Sequence, residues 1–338
     1  MTNTQSLLLT LFVLLLLTAG LLLAGLFVGS FETDFSAIRQ VVTGYDSENP
    51  VHYVIVHLRL PRLLLAFLVG GALVFSGYLL QLMVNNPIAD PYILGTASGA
   101  AFGANIVFFG LLPVVWSGFY LPPVFAFLGA FGITFLVVTL AYKRGQIIPS
   151  QLLLSGVAIS SLLTALNNLF TFLSDNESKL KTIIFWSLGS FERAQWLDIP
   201  LLLGTVVVAN VIFGLLHKQL NLLLLGENRA FQLGLSVSRL RWIILLASSL
   251  VTGVAVASSG AIGFVGLVVP HVIRGIFGVS NRWNLLFTTW LGGVYMLGCD
   301  LLARVIYPPA GLPVGILTSF LGVPFFLYLL LRRNYRFD

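Results

Sequence analysis

Ten apolar runs of about the length that crosses a bilayer follow one another along this chain, with little charge between them. They fall at about 6–28, 63–84, 92–112, 120–142, 151–173, 197–217, 241–259, 262–278, 284–303 and 312–331. A hydrocarbon core about 30 Å thick calls for roughly 20 apolar residues of helix. Within it only helices and closed barrels satisfy their own backbone. The runs lack the short alternating pattern of barrel strands, so the chain is expected to be an all-α integral membrane protein of about ten transmembrane helices. Composition agrees: 58% of residues are hydrophobic and 9% charged, against about 25% charged in soluble domains.

The seventh and eighth runs are parted only by Ser258-Ser259-Gly260, a weak break of small residues. The first run is longer than a signal-peptide core and no basic residue precedes it, so it is expected to be a retained helix. Ten spans put both termini on one side. The tail Arg332-Arg333-Asn334-Tyr335-Arg336 argues that this side is the cytoplasm. Eleven of the 18 Lys and Arg residues then lie inside and seven outside, which accounts for the net charge of +6 without nucleic acid. A nucleic-acid surface would need a basic patch with aromatic platforms on a soluble face.

Several chemistries find no residues to carry them. Cys299 is the one cysteine, so no intrachain disulfide or thiolate cluster can form. His52, His57, His217 and His271 are too dispersed for a metal site. Lys occurs only at 143, 179, 181 and 218, never after Gly, so there is no Gly-Lys-Ser/Thr phosphate loop and no ATP hydrolysis by this chain alone. An ion-coupled secondary transporter, the alternative of a different class, would need ionisable groups in mid-membrane. The nearest are Asp300 and Arg304, four apart near one helix end, which read as a local ion pair or a snorkelling arginine.

One polar island, Asn221 to Arg241, interrupts the apolar runs and is too short for a domain. Its Leu, small and charged residues alternate at helical spacing, which reads as a docking surface rather than a solvated loop. Gly and Ala cluster inside the spans, as at Gly70-Gly71-Ala72, Gly260 to Gly266 and Gly292-Gly293. Such residues let helices approach closely in lipid. Two Pro-broken segments, Asn85 to Pro91 and Gly263 to His271, leave backbone groups unpaired unless they are buried in protein or line a cavity. They are candidate pathway and gate elements.

At these motifs the chain resembles the FecCD-type permeases, the membrane subunits of ABC importers for ferric siderophores, haem and vitamin B12. The motifs are Arg59-Leu-Pro-Arg62, Asn86-Pro-Ile-Ala-Asp-Pro91, Leu225-Gly-Glu-Asn-Arg-Ala-Phe-Gln-Leu-Gly-Leu235, Gly260 to Arg274, Asp300-Leu-Leu-Ala-Arg304 and Gly322-Val-Pro-Phe325, collinear over about 59–330. The resemblance implies the type II ABC importer permease fold, one transmembrane domain over 1–338 with ATPase-coupling helices at about 221–238. It further implies a bacterial inner or plasma membrane, a homodimer, two cytoplasmic ATPase subunits and an external substrate-binding protein. The chain itself would be no enzyme and would hold no cofactor.

The same resemblance assigns roles. Glu227, Arg229, Ala230, Gln232 and Gly234 would contact the ATPase, with Ala230 and Gly234 permitting close approach. Arg59, Arg62 and Arg304 would dock the external binding protein, since arginine's planar fork holds carboxylates bidentately. Asn86 and Ile88 would form the inner gate with Pro149 and Ser150, where the chain departs from a small polar pair in the vitamin B12 permease. His271 and Arg274 would anchor to the membrane surface or contact the ATPase. The cargo implied is a ferric siderophore-type chelate moved by alternating access, with vitamin B12 or haem as alternatives. A bare metal ion would need dehydrating ligands that the spans lack.

Overall fold

The computed structural model describes residues 3–29, 31–86, 89–111, 121–143, 146–174, 177–278, 282–308 and 311–331. Along the chain run α1 (Asn3–Phe27), α2 (Phe35–Thr43), α3 (Pro50–Val84), α4 (Thr96–Phe108), α5 (Leu121–Ala141), a hairpin of β1 (Tyr142–Lys143) and β2 (Gln146–Ile147), and α6 (Pro149–Phe172). There follow α7 (Glu177–Leu188), α8 (Asp198–Leu215), α9 (His217–Leu223), α10 (Glu227–Gln232), α11 (Val237–Ser259), α12 (Val265–Phe277), α13 (Asn284–Ile306) and α14 (Val314–Leu331). Among the described residues seven helices are long and apolar enough to span a bilayer, and α4, α12 and α14 hold three shorter apolar stretches. The ten segments coincide with the ten expected runs.

The structure adds elements that hydropathy does not reveal. α3 begins at Pro50 rather than near 63 and carries a π-helical stretch, Val54–Arg59. Its 35 residues would reach about 52 Å at 1.5 Å per residue, well beyond the hydrocarbon core. α2 and α7 are short helices in segments too polar to register as spans.

α3 is the central post, enclosed by α13, α11, α12 and α8, while α1 and α6 lie mostly on the outside. Lipid tails are as apolar as leucine, so these helices gain contact by fitting closely rather than by escaping water. Gly77 shows how close. A Cβ there would lie 2.2 Å from the carbonyl oxygen of Gly266 on α12. The α4–α5 pair repeats the device, a Cβ at Gly99 falling 2.5 Å from the carbonyl of Gly129.

The weak break at Ser258-Ser259-Gly260 is a true interruption. Gly260 takes φ +71, and Phe264, with φ +66, starts α12 from the left-handed region. The freed backbone finds partners in the protein: Ser190 N donates to Ser259 O (2.8 Å) and Ile262 N to the Tyr92 hydroxyl (2.9 Å). This is how unwound chain is tolerated at membrane depth.

Gly77→Ala should overpack the α3–α12 seam and lower the thermal stability of the detergent-purified protein by about 1–3 kcal/mol. Gly204→Ala, where a Cβ meets nothing within 4 Å, should leave it unchanged or slightly raised. Equal melting temperatures for Gly77→Ala and wild type would contradict this seam.

Candidate functional site

Chemistry-bearing residues gather at the two ends of α3. At one end the polar island folds into α9 and α10, with Gly226 (φ +87) and Gly234 (φ +85) making the turns on either side of α10. Ala230 is fully buried against the body of the protein, whereas Arg229 and Gln232 are exposed. Gly234 owes its place to that backbone turn, for a Cβ there would meet nothing. The sequence reading missed the apolar part of this surface: Leu225, Phe231 (72% exposed) and Leu233 all face outward.

Glu227 opens α10, and its two carboxylate oxygens accept from both Nη atoms of Arg241, at 3.1 and 3.0 Å. Arg241 is buried at the start of α11, and its Nη1 also donates to Ile147 O in β2 (3.2 Å). Two residues on, Pro149 occupies the first turn of α6, with Ser150 exposed beside it. Pro suits that position because the amide it lacks would have no helical partner. The expected second gate segment is therefore a helix start, joined through Arg241 to the island.

Asn85, with φ 52, closes α3, and Asn86 N donates back to Gln81 O (3.1 Å). Ala89 N then donates to Asn86 O (3.2 Å). Ile88 lies outside the described residues. Asp90 accepts from Tyr92 N (2.8 Å). Burial pushes its carboxyl up to about 6, partly offset by that hydrogen bond. Arg274 is neither a surface anchor nor exposed to a partner. It is buried between α3 and α12, donates to Gln81 Oε1 and lies 5.9 Å from the Tyr78 ring centroid. Gln81 Nε2 completes the link by donating to Gly266 O (3.0 Å).

At the other end of α3 the three expected docking arginines turn inward. Arg59 is buried and donates to the carbonyls of Leu26 and Phe31 and to Thr33 Oγ1, tying down the chain that leaves α1. Arg62 donates through Nε and Nη2 to Asp300 Oδ1, at 3.0 and 2.8 Å. Arg304 pairs with Asp300 Oδ2 and donates to Gly25 O (3.2 Å). The expected Asp300–Arg304 pair is present, and Arg62 joins it from far away in sequence. Asp300 is wholly buried, so its charge is held by two arginines rather than offered to a coupling ion.

Beside the unwound stretch, among the described residues, a cavity of about 540 Å³ is lined by Ala261, Gly263 and Gly315, and two larger ones open there. One, about 660 Å³, is lined by Glu177, Lys181, Trp186, Glu192, Arg193 and Ser259. The other, about 720 Å³, is lined by Asp90, Tyr92, Phe264 and the Ser160, Thr164 and Asn168 face of α6. That hydroxyl and amide face recurs every four residues, a signal present in the sequence. Among the described residues no group of His, Cys, Asp or Glu is arranged to hold a metal ion.

The FecCD transport family matches residues 14–332. The chain belongs to the FecCD transport family. It is 39% identical over 326 residues to the hemin transport system permease protein HmuU of Yersinia pestis, covering 95% of each chain. It is 36% identical over 317 residues to the Fe(3+) dicitrate transport system permease protein FecD of Escherichia coli, covering 93% of this chain and 95% of that one. A solved structure described as a metal-chelate type ABC transporter in an inward-facing conformation superposes with a TM-score of 0.82 at 34% identity, over 95% of this chain and 98% of that one. This FecCD protein is thus a multi-pass membrane permease of the ABC importer type.

Removing the carboxylate in Asp300→Ala would leave Arg62 and Arg304, both half-buried, without their shared carboxylate and should cost up to about 3–5 kcal/mol of stability, read as a large fall in melting temperature. Asp90 gives a pH-dependent case. Its folded pKa is raised above the unfolded value, so the cost of ionising it grows as pH rises through about 6. Asp90→Asn, which can still accept from Tyr92 N, should raise the melting temperature more at pH 8 than at pH 4.5. The reverse order would show that Asp90 is stabilised as its anion.

Proposed function

We propose that this FecCD permease passes a ferric siderophore-type chelate into a bacterial cytoplasm by alternating access. It would work as a homodimer with two cytoplasmic ATPase subunits and an external substrate-binding protein, and with both termini inside. The observation that carries the reading is the composition of α10's outer surface. Phe231 and Leu233 stand in the open beside Arg229 and Gln232, at the polar end of a membrane domain. Exposed apolar side chains rimmed by polar ones mark a protein contact, and an aromatic with an arginine is the usual energetic centre of such a contact. In this reading Glu227 and Ala230 seat α10 on the permease body, while Arg229, Gln232 and the turn at Gly234 face the ATPase.

The names of the relatives support a metal chelate as cargo, hemin for one and ferric dicitrate for the other. Haem is the second reading, resting on HmuU, and vitamin B12 stays as the alternative from the sequence. At the outer end, Arg62 retains the most exposed guanidinium of the three arginines, with 18% of its side chain exposed against 8% for Arg304. It is the residue we assign to a carboxylate of the binding protein, with Arg59 and Arg304 holding its surroundings. At the inner end Asn86, Ile88, Pro149 and Ser150 would close the path. The burial and double pairing of Asp300 argue against ion coupling through that residue.

Phe231→Ser should weaken capture of the ATPase by the tagged permease by about 30-fold, the equivalent of about 2 kcal/mol at a contact centre, while the melting temperature of the isolated permease stays unchanged. Undiminished ATPase recovery would remove α10 as the docking surface. In proteoliposomes holding the whole importer, ATP-dependent uptake of a radio-iron siderophore, but not of hemin or cobalamin, is the expected cargo result. Uptake of hemin or cobalamin alone would reassign the cargo.

A further inference from the structure

Arg241 bonds both to α10 and to the hairpin that leads into α6. Its guanidinium is buried and serves two elements at once: both oxygens of Glu227 on α10, and the backbone oxygen of Ile147 on β2. Ile147 is itself buried and its carbonyl lies two residues before Pro149, the start of α6. α6 in turn presents the Ser160, Thr164 and Asn168 face to the larger cavity.

α10 is a six-residue helix between two left-handed glycines. So short a helix has little stability of its own, and its orientation depends on what holds its ends. The bidentate pair fixes the first turn of α10 to Arg241, because a planar fork on a carboxylate restricts orientation as well as distance. The bond to Ile147 O uses the same planar group, so a rotation of α10 that turns the carboxylate also turns the donor to β2.

We propose that Arg241 is a positioning residue that transmits movement of α10 to the β1–β2 hairpin and so to the Pro149-Ser150 end of α6. This rests on the reading of α10 as the ATPase contact. The role differs from that of a stabilising ion pair, because Glu227 anchors one side while a backbone carbonyl, which no side-chain substitution removes, receives the other.

The two contributions separate by exchanging the charges. Glu227→Arg combined with Arg241→Glu can rebuild the ion pair, but a carboxylate at 241 accepts hydrogen bonds and cannot donate to Ile147 O. In the complete importer in proteoliposomes, Arg241→Gln should lower cargo moved per ATP hydrolysed by about tenfold, with the ATPase still bound. The exchanged double variant should recover the wild-type melting temperature and keep the low transport ratio. A double variant with a wild-type ratio would overturn the proposal, as would Arg241→Gln transporting normally per ATP.

Should neither variant fold, spin labels on exposed Gln146 and Asn228 of an otherwise wild-type complex give the same answer. The distance between them should stay constant between the nucleotide-free and ATP-bound states, because hairpin and helix move as one body. A change in that distance would overturn the linkage. Failure of the underlying docking reading looks different: the wild-type permease would then bring down no ATPase at all.

Discussion

Backbone amides and carbonyls at membrane depth have no water to turn to, and each must be paired inside the protein. In this FecCD permease the long helices meet that demand within themselves, which leaves the interruptions as the places where tertiary structure must supply partners. The stretch from Gly260 to Phe264 is the clearest. Ser190 from the segment after α7 donates to Ser259, and Tyr92 from the turn before α4 accepts from Ile262. Two segments far apart in the chain are thereby drawn to one point, and the two larger cavities open beside it. The irregular backbone that a path through the membrane requires is the same irregular backbone that orders the elements around it.

Close approach and buried charge extend this arrangement toward the two ends. Gly77 and Gly266 bring α3 and α12 near enough for Gln81 to reach Gly266 O and for Arg274 to reach Gln81. Asp300 gathers Arg62 and Arg304, and Arg304 with Arg59 caps carbonyls where the chain leaves α1. Buried pairs of this kind add little net stability compared with apolar packing, but breaking them is costly. They hold a geometry, joining α1, α3 and α13 at one end and α10, α11 and the hairpin at the other.

Spans, their order and the polar island were legible because hydropathy over about 20 residues is a local property. The family was legible because its motifs recur in order, from Arg59-Leu-Pro-Arg62 to Gly322-Val-Pro-Phe325. Orientations were not. Arg59, Arg62 and Arg304 look alike in sequence to surface docking residues, and only the fold shows Arg59 spent on the carbonyls of Leu26 and Phe31. Phe231 was hidden for the opposite reason. An apolar residue in an apolar chain carries no signal until the structure leaves it exposed. The start of α3 at Pro50 was missed because polar residues within a helix mask its length once it leaves the lipid.

The amino-acid sequence by itself determined that this is an all-helical membrane permease of the FecCD family, with ten apolar segments and a polar island, since composition and motif order survive without coordinates. Tertiary structure alone decided which charges are spent internally, which apolar side chains stay exposed, and that Arg241 joins Glu227 to Ile147. The reason is distance along the chain. Arg62 and Asp300, or Arg241 and Ile147, become neighbours only once segments far apart in sequence have packed, and no local pattern encodes which of several arginines will find the buried carboxylate of Asp300.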